Sequence, residues 1–142
     1  MIHTFLFTES TWSAKGTYYD EKNNPVEVTG ESFITHLKNV WFLNSSMILP
    51  GENTVELKND YEIVPFEKDV TSWKSVNPAL GTLLGSFAIV DDSIISLYSS
   101  QKGDFFGTEI FTMVSESEYV GKGVLYSPAG KISSWSVHLT RE

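Results

Sequence analysis

Alternation constrains this chain more than any other feature. In "TWSAKGTYY" the residues Trp12, Ala14, Gly16 and Tyr18 fall on one face, and Ser13, Lys15, Thr17 and Tyr19 on the other. A period of two is the mark of a half-buried strand, whereas an amphipathic helix repeats every 3.6 residues. The turn "DEKNNP" follows, and "VEVTGESFITHL" alternates again with Val26, Val28, Gly30, Ser32, Ile34 and His36 on one side. "NVWFLNSSMIL" runs to the turn "PGEN", and "TVELK" and "DYEIVPF" flank Asn59-Asp60, which reads as a further turn. "TLLGSFAIV" meets "SIISLYSS" across Asp91-Asp92, "GTEIFTMVS" meets "EYVGKGVLY" across "ESE", and "SPAGK" leads into "ISSWSVHLTR". The pattern predicts an all-β chain of about eight to ten strands in one domain spanning residues 1–142. Short turns between successive strands fit an antiparallel up-and-down barrel or a sandwich.

Closure decides between the two. A long open sheet leaves two edges as templates for aggregation, and a barrel removes them. The predicted inner faces mix large apolar groups with Ser, Thr, Tyr, His and Glu, which suits a barrel whose centre is wet or holds a ligand. Gly16, Gly30, Gly85, Gly107, Gly121 and Gly123 lie in or near strands, where glycine marks sharp bends or close backbone approach. Helical signals occur once, in "TSWKSVNPALG". There Asn77 can cap, Pro78 suits a first helical position and Gly81 stops the run, which predicts one short helical turn near 77–81. Residues 71–81 read as a plug or portal flap, with Trp73 and Leu80 covering one barrel end.

Composition narrows the partners. Ten basic and 18 acidic side chains give a net charge of −8, which repels phosphate backbones and anionic lipid surfaces. Nucleic acid and membrane insertion are therefore not expected. The chain has no cysteine, so disulfides, thiolate metal sites and thiol nucleophiles are excluded. The opening "MIHTFLFTES" lacks the basic start and long apolar core of a signal peptide and reads as a first strand or a docked N-terminal arm. A cytoplasmic location is the expectation.

The outline resembles the calycin group, the lipocalins and fatty-acid-binding proteins with their lipocalin-like relatives. Two residues carry the resemblance, Trp12 near the start of the first long strand and Arg141 at the end of the last. It implies that the indole packs beneath the basic side chain to close one barrel end, a contact favoured by cation–π attraction. "STW" stands where lipocalins carry Gly-x-Trp, which points to an outlying, bacterial-type lipocalin-like family.

Candidate chemistry is sparse. His36, on the apolar side of its strand, is a candidate ligand for haem or a metal, or a base near neutral pH, and equally a histidine bonded to a backbone carbonyl. His3 reads as a terminal surface residue and His138 as an outer-face one. Three histidines at 3, 36 and 138 match no metal-binding spacing. Glu109 alternates with Phe111 and Met113. It faces either a ligand's polar end or water, the latter if Thr108, Ile110 and Thr112 are the inward set. No nucleophile elbow or phosphate-cradling loop is present. Aromatics are abundant, with four Trp, six Tyr and nine Phe, enough to line a cavity for a flat or elongated apolar molecule. The first reading is thus a barrel binding a small hydrophobic or aromatic ligand, with Tyr18, His36, Trp73, Tyr98, Glu109 and Trp135 lining or gating it and no cofactor identifiable. The second is an enzyme or chromophore-handling protein with His36 and Glu109 as acid and base. The third is a solid-core interaction module, a homodimer joined through outer-face aromatics such as Tyr19, Phe33 or Trp41.

Overall fold

The computed structural model describes residues 2–142. Ten strands follow one another: β1 (Ser10–Tyr19), β2 (Pro25–His36), β3 (Trp41–Leu49), β4 (Val55–Ile63), β5 (Val70–Asn77), β6 (Gly81–Val90), β7 (Ser93–Ser100), β8 (Phe106–Ser115), β9 (Glu118–Ser127) and β10 (Gly130–Arg141). Each pairs antiparallel with its neighbours in sequence, and β1 pairs with β10, so the sheet closes into an up-and-down barrel. The closing register runs from Trp12 opposite Arg141 to Tyr19 opposite Ser134. Every strand thereby gains two hydrogen-bonded partners and no edge is left free. The inner positions are those set by alternation: Trp12 on β1, Val28 and Ile34 on β2, and Val137 and Leu139 on β10 are all buried.

Two segments differ from the sequence expectation. Asn59-Asp60 is not a turn but the middle of β4. Its polar groups are satisfied sideways: Asn59 Oδ1 accepts from Asn77 Nδ2 at 2.5 Å, and Asp60 Oδ1 accepts from Asn44 Nδ2 at 2.8 Å. Residues 71–81 form no plug. Most of them belong to β5, which hydrogen-bonds to β4 and β6 and carries Trp73 into the interior at 3% exposure. The helical turn expected at 77–81 is instead a hairpin turn. Asn77 does cap it, with Oδ1 accepting from the Ala79 and Leu80 amides at 2.8 and 3.0 Å, but Gly81 at φ +79° turns the chain straight into β6. The tally of ten survives because merging two expected strands into β4 offsets the gain of β5.

The plug is the N-terminal arm. Thr4 carbonyl accepts from the Phe7 and Thr8 amides, and Leu6 takes a left-handed φ of +72°, so the arm folds back as a compact turn. Phe5 and Leu6 then lie 1% and 0% exposed beneath the end of the barrel where β1 begins. Phe5 and Tyr119 each meet the Trp12 indole edge-on at 5.5 Å. His3 is not a surface residue. Its Nε2 donates to the Asp91 carbonyl at 2.9 Å, and its Nδ1 is hydrogen-bonded with the Tyr119 hydroxyl at 2.7 Å. Arg141 stands opposite Trp12 in the closing register with its side chain exposed, and Phe5 and Tyr119 are the rings packed edge-on against the indole. Because these apolar contacts close the end, Phe5→Ala is expected to lower unfolding free energy by about 3–5 kcal/mol. Arg141→Ala should stay within about 0.5 kcal/mol of wild type in the same urea titrations.

Candidate functional site

Above the plugged end the barrel is hollow. A cavity of about 320 Å³ rises from Phe5 and Phe111 to Ala79 and Leu80 in the β5–β6 turn at the opposite end. That volume is at the lower end of the roughly 300–1,000 Å³ typical of ligand pockets. The interior is therefore not the filled core of the third sequence reading.

The space exists because aromatic rings lie flat on bare backbone. Trp135 covers Gly123, where a methyl group would fall 2.5 Å from its Nε1, and Tyr98 covers Gly107, where one would fall 2.6 Å from its hydroxyl oxygen. Trp73 covers Gly85 in the same way. Glycine beneath each ring lets it lie against the wall and leaves the middle open.

One carboxylate faces this cavity. Phe111 is buried on the same side of β8 while Ile110 is exposed, so the phase of the strand turns Glu109 inward at 8% exposure and not into water. Tyr61 hydroxyl donates to its Oε1 at 2.8 Å, and Oε2 is buried with no partner. Burial pushes the Glu109 carboxyl up from its ordinary 4.5 to about 7, against the lowering effect of the Tyr61 hydrogen bond. Tyr61 and Tyr98 are in turn pushed well above the usual tyrosine value, first by burial and second by the charge on Glu109. Nearby, Trp73 Nε1 donates to the fully buried Ser96 Oγ at 3.1 Å. At neutral pH the site thus offers an acid close to its midpoint in a chamber walled by aromatic and aliphatic side chains with scattered serines and asparagines.

Of the residues singled out from sequence, Tyr18, Trp73, Tyr98, Glu109 and Trp135 line the cavity. His36 does not. It sits at the plugged end, with Nε2 on the Leu6 carbonyl at 2.7 Å and its ring stacked on Trp41 at 4.0 Å. An acid–base pair of His36 with Glu109 is therefore not assembled. Trp41 is no outer-face residue either: it packs against Phe7 and Phe66 of the same end. Phe33 does lie outside, at 46% exposure. Among the described residues no cluster of His, Asp or Glu is placed to hold a metal ion. Tyr61, the partner of Glu109, escaped the sequence reading. It alternates with Ile63, but a turn expected at Asn59-Asp60 breaks the inward run Leu57, Asn59, Tyr61, Ile63 of β4.

No family model matches the chain, and no curated protein matches it in sequence. Solved structures do match in shape. An S-type phycobiliprotein lyase, CPES from Guillardia theta, superposes with a TM-score of 0.71 at 10% identity, covering 97% of this chain and 90% of that one. Rv2717c from M. tuberculosis gives 0.72 at 10% identity, covering 94% and 92%. This chain has a calycin-like fold, the closed ten-strand antiparallel barrel it shares with both. No helix among the described residues is long and apolar enough to cross a membrane.

The raised Glu109 value has a consequence for stability. Below the unfolded value of 4.5 the carboxyl is protonated in both states; between 4.5 and about 7 the folded protein retains a proton that the unfolded chain has lost. Stability from this group therefore falls as pH rises through that window, by an amount on the order of 3 kcal/mol. Glu109→Gln is expected to flatten the dependence, so that its melting temperature gains on wild type between pH of about 5 and about 8. Paired thermal melts across that range check it.

Proposed function

We propose that this outlying lipocalin-like barrel binds a small, mostly apolar molecule in its interior. The observation that carries the reading is the chamber itself, walled by Tyr18, Trp73, Tyr98 and Trp135 with Glu109 as its buried carboxyl. Burying about 300 Å² of apolar ligand surface contributes roughly 7 kcal/mol before the loss of translational freedom is subtracted. The aromatic walls supply that area, and Glu109 orients the ligand's polar end. His36 lies outside this chamber, against the Leu6 carbonyl and the Trp41 ring at the plugged end.

A second reading, chromophore handling, is favoured by the flat faces of Trp73 and Trp135 and by the likeness in fold to a phycobiliprotein lyase. At this level of identity the likeness supports the barrel and not the activity, so the broader reading is preferred.

Titration with neutral probes tests both. Naphthalene derivatives and fatty alcohols are expected to quench tryptophan emission and raise the melting temperature. Ala14→Phe, which fills the lower wall of the chamber, should weaken binding about tenfold or more, equivalent to about 1.4 kcal/mol. A bilin that gains visible circular dichroism on binding, where fatty alcohols fail to bind, selects the chromophore reading. If no probe shifts emission or melting, the binding reading falls.

A further inference from the structure

The charge inventory of the chamber is one-sided. The donors nearest Glu109 are already engaged: Tyr61 O–H by Glu109, Trp73 N–H by Ser96, and Tyr98 O–H by the Val124 carbonyl at 3.4 Å, while the other polar side chains of the lining, among them Ser46, Ser133 and Trp135, carry no charge. Asn77 Nδ2 is held by Asn59. Among the described residues, the fully buried side-chain atom of the lining that is left without a hydrogen bond is an acceptor, Glu109 Oε2. Among the described residues no lysine or arginine lines the cavity. A carboxylate or phosphate ligand would find no cation here and would meet Glu109 head-on. The long-range field points the same way, since the chain carries a net charge of −8.

Depth agrees with chemistry. Glu109 lies part-way down β8, with Gly107 towards the mouth and Phe111 towards the floor. A head group that reaches Oε2 leaves its apolar body among Trp73, Tyr98 and Trp135. The groups facing Glu109 are Tyr61 from β4 and Tyr98 from β7, both uncharged at neutral pH, with Ser96 and Gly123 as its cross-strand neighbours. Nothing in that set competes with an incoming cation.

We infer that the chamber selects ligands carrying a basic nitrogen, seated with its N–H on Glu109 Oε2 and its apolar body against the aromatic walls. This rests on the binding reading above and adds the class of head group to it. A buried carboxylate that lacks its second partner is unfavourable alone, and a charge-assisted hydrogen bond from an ammonium supplies what it lacks.

Three probes with one body separate the cases: 1-naphthylmethylamine, 1-naphthalenemethanol and 1-naphthoate, each titrated by calorimetry and tryptophan emission. Near pH of about 8, where Glu109 is ionised, the amine is expected to bind about tenfold or more tightly than the alcohol, and the carboxylate most weakly. In Glu109→Gln the amine-to-alcohol ratio should collapse towards one. Lowering the pH to about 5.5 should shrink the same ratio in the wild-type protein, which keeps the inference testable should the variant fold poorly. Equal affinities, or a carboxylate preference, overturn the inference and leave the binding reading standing. Failure of all three to bind removes both.

Discussion

Closure of the first strand onto the last is the constraint on which everything else depends. Residues Trp12 to Tyr19 hydrogen-bond to Arg141 to Ser134, and only that pairing gives the sheet an inside. Once the ring is closed, the phase of each strand is locked to its neighbours, because a slip by one residue would send a whole row of apolar side chains into water. Val28, Leu43, Ile63, Phe87, Ile94 and Val137 are all buried as a result, although no two of them are adjacent in sequence.

The barrel treats its two ends differently. At one, a short arm tucks Phe5 and Leu6 under Trp12 and ties His3 to Tyr119 and Asp91, a contact set spanning most of the chain's length. At the other, the Asn77 turn stays low and the chamber reaches it. Apolar filling ends between them, where glycines beneath three aromatic rings thin the walls. A single carboxylate with a tyrosine on one oxygen occupies that gap. The buried rings of Phe5, Trp12 and Tyr119 are concentrated at the plugged end, and the buried acid faces the cavity above them.

Much of this was legible in the sequence. Alternation in "TWSAKGTYY" and "ISSWSVHLT" put Trp12 and Tyr18 on one face of the first strand and Trp135, Val137 and Leu139 on one face of the last, and turn residues marked most strand ends. The reading failed where a residue's usual habit was overridden by a partner distant in the chain. Asn59-Asp60 looks like a turn until Asn77 and Asn44 answer its side chains across the sheet. Asn77-Pro78 looks like a helix start until the following residues pair back on β5. Glu109 was ambiguous because period two leaves the absolute phase open, and Phe111 in a closed core was needed to set it.

By itself, then, the sequence determined the all-β class, the approximate strand number and the division of each strand into two faces, since these follow from local patterning and turn chemistry. Tertiary structure alone decided which end is sealed and by what, that His36 and Glu109 lie in different places, and that Tyr61 meets Glu109 across 48 positions of chain. Periodicity is a property of neighbours along the chain, whereas a cavity and its chemistry are set by which distant strands the closing of the ring brings face to face.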